Sequence, residues 1–235
     1  MADHKVVSRS EWLVARKELL SKEKEFTRLR DELSRERREL PWVKVDREYT
    51  FDAEGGQETL GDLFGRCSQL VVYHFMFGPD WEEGCPSCSF WADNFNNIPI
   101  HLQHRDVAFA AISRGPLKKL IDYKKRMGWG FKWVSSLESE FNQDYHVSFP
   151  SDKEEQGDVY YNYHMTKFPM KEAPGVSVFL KDNDGNIFHT YSCYSRGLDM
   201  LNSAYHHIDL TPKGRDEDDL PFSMAWVRRH DRYED

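Results

Sequence analysis

Gln69–Asp93 reads QLVVYHFMFGPDWEEGCPSCSFWAD, and the order of its parts decides the fold. Gln69 to Phe77 is an unbroken apolar and aromatic run. Its length and its Val, Tyr and Phe content predict a strand buried on both faces. Gly78-Pro-Asp-Trp-Glu-Glu-Gly84 is then a loop. Cys85-Pro-Ser-Cys88 opens a helix, with Cys85 as its cap or first residue. Pro86 falls in the first turn, where its missing N–H would be unpaired anyway.

The same alternation continues outward. Asp106–Ser113 predicts a second buried strand, and Pro116–Met127 a helix with Leu117, Leu120 and Ile121 on one face. Phe131–Val134 predicts a third strand, and Leu137–Tyr145 a third helix. Val176–Lys181 and Asn186–Cys193, split by Asp182-Asn-Asp-Gly185, form a hairpin. Upstream, Glu48–Phe51 is a short strand, Asp52–Gly56 a turn and Thr59–Gly65 a short helix. Residues 146–173 read as irregular, polar, Tyr-rich and too long for an ordinary loop, and so as an insertion near the active face. From Arg196 the chain begins helical and ends in an acidic tail. Alternating strands and helices imply an α/β fold with helices on both faces of a sheet, and the terminal hairpin makes that sheet mixed. Sites in such sheets lie beyond the C-terminal strand ends, where the CxxC sits.

Ser8–Leu40 contains no Gly or Pro. Ser8 and Glu11 have capping-box spacing, and Trp12, Leu19, Phe26, Leu33 and Leu40 recur every seven residues. This predicts an amphipathic helix of roughly 45 Å. It either clasps its own domain, the plainer reading, or pairs with its copy in a homodimer. The expected organisation is 1–41 helical extension, 42–205 main domain, and 206–235 a tail packed on that domain.

A net charge of −8 excludes attraction of phosphate backbones to the whole surface, so no nucleic-acid partner is expected. Arg228, Arg229 and Arg232 read as a solvated tail. Leu70–Phe77, the longest apolar run, is far short of the ~20 residues that cross a bilayer, so no membrane partner is expected. The first residues are dense in Lys, Arg and Glu and lack the apolar core of a secretory signal. A reducing cytoplasm is therefore expected, where a CxxC is more often catalytic or metal-binding than structural.

At the start of a helix Cys85 meets free N–H groups that stabilise a thiolate, the attacking species. Cys88, three residues on, shares its face and can reach back to resolve the product. Asp80, Glu82, Glu83 and Asp93 oppose strong activation. A structural zinc site needs more ligands than one CxxC; Cys67 and Cys193 are isolated, and nothing in the spacing of His74 and His189 brings them to the pair. No metal and no cofactor are expected.

QLVVYHFMFGPDWEEGCPSCSFWAD resembles the first strand, loop and active-site helix of thioredoxin-like proteins. With GVSVFLKDNDGNIFHTYSCYSRGLDML and HHIDLTPKGRDEDDLPFSMAWVRRHDRY it resembles, over nearly the whole chain, a bacterial domain-of-unknown-function family of that superfamily. That family is often labelled a dithiol–disulfide oxidoreductase. The resemblance implies a thioredoxin-like three-layer α/β/α fold with a mixed central sheet. YTFDAEGGQETLGDLFG and DVAFAAISRGPLKKLIDYKKRMGWGFKWVSS also resemble peroxiredoxins, which would make Cys85 the peroxide-attacking residue with Arg114 nearby. Peroxiredoxins carry Thr or Ser shortly before that cysteine, however, whereas this chain has Glu82, Glu83 and Gly84. Thioredoxins place a cis-proline opposite the CxxC. The matching position here is Val176, expected trans because a non-proline cis bond costs ~3 kcal/mol. A small disulfide then becomes a more credible substrate than a protein.

Among lesser candidates, His74 reads as a core histidine or as a proton shuttle to Cys88. Trp81 and Trp91 either wall off the thiols or belong to the core. Cys67 and Cys193 read as inert buried thiols. His206, His207 and Asp209 suit capping or hydrogen bonding, and the tyrosines of 160–163 can line a substrate mouth. The expected function is thiol–disulfide exchange through Cys85 and Cys88, with a disulfide-bearing substrate or small thiol as partner and an unspecified reductant. A thiol peroxidase and a non-enzymatic scaffold with an idle or metal-holding pair are the alternatives.

Overall fold

A computed structural model describes residues 4–149 and 158–234, so residues 150–157 of the expected insertion lie outside the described residues. Two units emerge, divided after Pro41. The first is dominated by α1 (Arg9–Glu39), started by the expected capping box: Ser8 Oγ accepts from Glu11 N–H while the Glu11 carboxylate accepts from Ser8 N–H. No residue of α1 is buried.

The second unit runs in chain order through β1 (Val43–Lys44), β2 (Thr50–Ala53), β3 (Gly56–Thr59), α2 (Leu60–Leu63), β4 (Gln69–His74), α3 (Pro86–Ala92) and α4 (Ile98–Gln103). It continues through β5 (Val107–Ser113), α5 (Leu117–Arg126), β6 (Lys132–Ser135), α6 (Phe141–Asp144), β7 (Val159–Tyr161) and β8 (His164–Thr166). β9 (Gly175–Lys181), β10 (Ile187–Tyr194), a 3-10 segment (Ser195–Leu201) and α7 (Ser203–Ile208) complete it. Among the described residues an eight-stranded sheet has the order β1-β10-β9-β4-β5-β6-β2-β3, and β7-β8 pair separately. β4, β5 and β6 are parallel, and the remaining ladders are antiparallel, which gives the mixed sheet.

Alternation along β4 builds two cores. Leu70 and Val72 point into one, with Phe51, Ile112, Val134 and Phe179, closed by Leu60 and Leu63 of α2 and Phe141 of α6. Tyr73 points into the other, with Phe75, Trp133 and Val176, closed by Cys88, Trp91 and Ala92 of α3 and Leu120 and Tyr123 of α5. Helices therefore cover both faces, and this is the expected three-layer α/β/α architecture with a mixed central sheet and β4 near its centre.

Three local expectations need correction. The helix expected over Leu137–Tyr145 shrinks to one turn. Ser135 Oγ and Ser139 Oγ accept from the N–H groups of Leu137 and Phe141, a local competition that disfavours helix. The insertion is not wholly irregular, since β7 and β8 form a hairpin. Asn162 and Tyr163 sit at its turn with φ of 51° and 66°, the left-handed pair that suits a two-residue hairpin loop. β2 starts and ends two residues later than expected, and Ala53 pairs Gly56 in a tight hairpin.

Candidate active site

β4 hands the chain to a loop that ends at Gly84, a position closed to any side chain. A Cβ there would lie 2.7 Å from the Phe75 ring and 2.9 Å from the Tyr123 ring. Cys85 follows as the cap of α3, with Pro86 at its first position. Its N–H donates to Met76 O (3.1 Å), and its carbonyl accepts from both the N–H and the hydroxyl of Ser89 (2.9 Å each). The Ser89 hydroxyl also bonds Tyr123 Oη at 2.9 Å. Cys85 is thus pinned on both sides while remaining only half-buried, whereas Cys88 is buried.

The two sulfurs are free thiols in unlike surroundings. The Cys88 thiol hydrogen-bonds to the Cys85 sulfur, and the N–H groups of Cys88 and Ser87 and the Ser87 hydroxyl add to it. Together these outweigh desolvation and draw Cys85 down from 9.0 to about 7. Burial first, and then the shared proton, push Cys88 well above the ordinary thiol value. Cys88 Sγ in turn accepts from Met76 N–H (3.4 Å) and from the Tyr73 hydroxyl. The same surroundings thus favour ionisation of Cys85 and oppose that of Cys88.

Three of the four carboxylates that oppose this ionisation, Glu82, Glu83 and Asp93, are occupied. Glu83 pairs with Arg126, Arg229 (2.9 Å) and Arg232 (3.4 Å), and Arg126 beside it holds its carboxyl below the usual range. Glu82 pairs with Lys119 at 2.7 Å. Asp93 accepts from Trp129 Nε1 and contacts His230 Nδ1, each at 2.8 Å. Arg229 is therefore no solvated tail residue. Its guanidinium donates to Gly84 O (2.8 and 3.2 Å) and to Tyr123 Oη (3.0 Å), clamping the residue before Cys85.

Cys85 and Cys88 open onto a cavity of about 450 Å³. Tyr73, Met76 and Trp91 form its inner wall, Leu198 belongs to the 3-10 segment, and Phe168 and Met170 follow the β7–β8 hairpin. Phe222 and Met224 of the tail also line it, as do the charged Arg215 and Glu217. Of the tyrosines in 160–163, Tyr161 lines the cavity, whereas Tyr160 packs against His146.

Other expected residues fall elsewhere. Trp91 lies on the cavity wall, its Nε1 donating to Leu198 O at 2.9 Å, but Trp81 lines a separate, smaller pocket. Arg114 lines that second pocket too, 3.4 Å from buried Glu172, and is not among the residues lining the Cys85 cavity. His74 is on the opposite sheet face, stacked on Phe141 with ring centroids 5.6 Å apart. Its Nε2 bonds Ser177 Oγ (2.8 Å), which continues to Ser192 (2.8 Å) and His189 (2.7 Å). Burial pushes it down to about 3, so it is a neutral core group rather than a shuttle to Cys88. Val176, preceded by a trans peptide bond, is buried between Tyr73 and Cys193, and Pro174, two residues earlier, is the one that lines the cavity. Cys67 and Cys193 are buried, Cys67 in the opposite core. His207 bonds Ser203 O (2.6 Å), and Asp209 pairs Arg215 (2.9 Å). Among the described residues no group of three or more potential metal ligands converges, and no helix is long and apolar enough to cross a membrane.

The sequence does not single out Tyr73, and it places Arg229 only in a solvated tail. Tyr73 carries the alternation of a core strand, and Arg229 sits 145 residues from the carbonyl it binds. The only sequence signal for Tyr73 is its parity: it shares a face with Phe75, opposite His74.

Comparison with known proteins gives one match over the length of the chain and several remote ones. The model of a family described as "Bacterial protein of unknown function (DUF899)" matches residues 1–233. No curated protein matches. Among solved structures, the peroxidoxin BcpB of Mycobacterium tuberculosis is 12% identical, covering 72% of this chain and 97% of its own, with a TM-score of 0.46. Xanthomonas campestris peroxiredoxin Q is 14% identical, covering 66% and 87%, with a TM-score of 0.44. A Xylella fastidiosa PrxQ mutant is 14% identical, covering 71% and 95%, with a TM-score of 0.44. On the family match, which leaves only the last two residues outside, the chain belongs to the bacterial DUF899 family.

Proposed function

We propose that this chain is a thiol–disulfide oxidoreductase whose nucleophile is Cys85 and whose resolving thiol is Cys88. The carrying observation is the asymmetry of the pair: Cys85 is drawn down to about 7 by a hydrogen bond from Cys88, and both line one cavity. The Cys85 thiolate attacks one sulfur of a substrate disulfide. The substrate S–S bond breaks, a mixed disulfide forms at Cys85, and the first substrate thiolate leaves with a proton from solvent. Cys88 then loses its proton and attacks the Cys85 sulfur. An intramolecular disulfide forms and the second substrate thiol departs. Two electrons pass from the dithiol to the substrate, and an external dithiol reductant restores the pair.

Tyr73 is the positioning group for the second half. Its hydroxyl and Met76 N–H both donate to Cys88 Sγ, so they stabilise the thiolate that the resolving step needs. Peroxide as substrate draws no support from Arg114, which faces Glu172 in the smaller pocket.

Cys88→Ser tests the assignment. With the resolving sulfur gone, exposure to a small disulfide leaves half of the substrate attached to Cys85, detectable by intact mass and peptide mapping. Cys85→Ser forms no adduct. An unmodified Cys85 in the Cys88→Ser protein, under conditions where free cysteine reacts, contradicts the proposal.

A further inference from the structure

The cavity over the dithiol carries a statement about the substrate, one that rests on the exchange reaction proposed above. Backbone groups beside the sulfurs, which an extended peptide would pair with, are taken. Met76 N–H binds Cys88, Met76 O accepts from Cys85, and Pro174 O accepts from the Tyr161 hydroxyl at 2.8 Å. Gly175 is paired on both sides, to His74 and to Tyr194. The chamber is walled by side chains from three separate chain segments and holds about 450 Å³, a volume suited to a small molecule. Its charged lining is self-compensated. Arg215 lies over the Tyr205 ring at 3.9 Å and bonds Asp199 (3.0 Å) and Asp209 (2.9 Å), while Glu217 accepts from Tyr205 Oη (2.7 Å) and Trp226 Nε1 (2.6 Å). No unpaired charge there calls for an ionic ligand, whereas Met170, Phe222 and Met224 add apolar side chains to the lining, the methionines adaptable ones.

We infer that the substrate is a neutral, apolar, low-molecular-weight disulfide bound in this chamber, and not a polypeptide or a zwitterionic disulfide. The chemistry is that given above: the apolar arms rest on the Met and Phe side chains while one sulfur meets Cys85. Stopped-flow oxidation of the reduced protein tests this with dipropyl disulfide, glutathione disulfide and insulin, each rate normalised to that with free dithiothreitol. The normalised rate with dipropyl disulfide is expected to exceed the other two by about tenfold or more, the discrimination that a few buried methylenes supply. Met224→Asp is expected to shrink that ratio. Equal normalised rates, with the Cys85–Cys88 disulfide forming each time, overturn the substrate class alone. Failure of every disulfide to oxidise the pair overturns the exchange reaction and this inference together.

A second observation, independent of the site, concerns α1. Trp12, Leu19, Phe26 and Leu33 are 44–66% exposed and recur every seven residues. Each is immediately preceded by glutamate: Glu11, Glu18, Glu25 and Glu32. Four residues after each apolar position stand Arg16, Glu23, Arg30 and Arg37. In a parallel pair of helices those flanks face each other with an offset of five residues. Glu11, Glu25 and Glu32 then oppose Arg16, Arg30 and Arg37 of the second copy. The one like-charged pairing, Glu18 with Glu23, is relieved by the bond from Arg16 to Glu23 at 2.8 Å within each chain. An antiparallel pair instead sets glutamate against glutamate and arginine mostly against arginine.

The geometry points to a second copy of this chain, docked in parallel along α1, as the occupant of the seam. Sedimentation equilibrium of the full chain at tens of micromolar is expected to give twice 27.8 kDa. The double variant Leu19→Asp/Leu33→Asp is expected to give the single mass with thiol reactivity intact. Glu25→Arg/Glu32→Arg is expected to weaken the dimer, and mixing it with Arg30→Glu/Arg37→Glu to restore a heterodimer. A single-chain mass for the native protein, or indifference of the dimer to the charge exchange, overturns the proposal.

Discussion

The chemistry of the cysteine pair turns on hydrogen bonds to sulfur. Tyr73→Phe removes the hydroxyl that donates to Cys88 while leaving the ring in its core. Attack by Cys85 should keep its rate, whereas release from the mixed disulfide should slow by about tenfold, the weight of one bond to a charged group. Rapid-quench mass spectrometry, which follows adduct and free product separately, checks this split. A purely structural role for Tyr73 would slow both steps alike. His74 gives a different signal. In the folded protein it protonates only near 3, against 6.5 for the ordinary group, so below 6.5 the unfolded chain takes up a proton that the native one refuses. Its contribution to stability therefore falls as pH drops from 6.5 towards 3, by about 3 kcal/mol at pH 4.5. His74→Gln, which can keep a bond to Ser177, should show a shallower loss of urea stability between pH 7 and 4.5. An unchanged slope would mean that His74 does not stay neutral.

Among elements, the loop before α3 depends on a partner remote in sequence. Arg229 binds Gly84 O, Tyr123 Oη and Glu83, and its side chain is largely covered. Arg229→Ala should cost about 1–3 kcal/mol through groups left unpaired, and should raise the accessibility of Cys85 to alkylation in the folded protein. Equal stability and equal accessibility would show that the tail does not clamp the loop. The same contact explains a limit of sequence reading. β4, the CxxC and the capping box of α1 announce themselves through local rules: apolar run, proline in the first turn, reciprocal side-chain caps. Arg229 has no local rule to obey, because its role exists only once the tail has folded back. The β7–β8 hairpin was missed for a related reason. Its Asn162-Tyr163 turn lacks the glycine that normally marks such a loop.

Across the whole molecule, the architecture was legible because strand and helix signals alternate and a single sheet can absorb them. The site was legible only in part. Cys85, Cys88 and Pro86 lie where the motif requires, whereas Arg114 and Trp81 share a different pocket and His74 belongs to the other core. Sequence adjacency to a motif does not set which face of the sheet a side chain occupies; parity along the strand does. The cavity, assembled from three segments separated along the chain, could not be read before folding brought them together. Everything proposed for it assumes that Cys85 is a thiolate near neutrality and that Cys88 is not. The direct measurement is iodoacetamide alkylation of the reduced, folded protein across pH 5–10, with peptide mapping of each cysteine. Cys85 is expected to be modified with a rate midpoint near 7, while Cys88 remains unmodified until the protein is unfolded. A Cys85 midpoint near 9, or Cys88 reacting as readily as Cys85, would contradict that assignment.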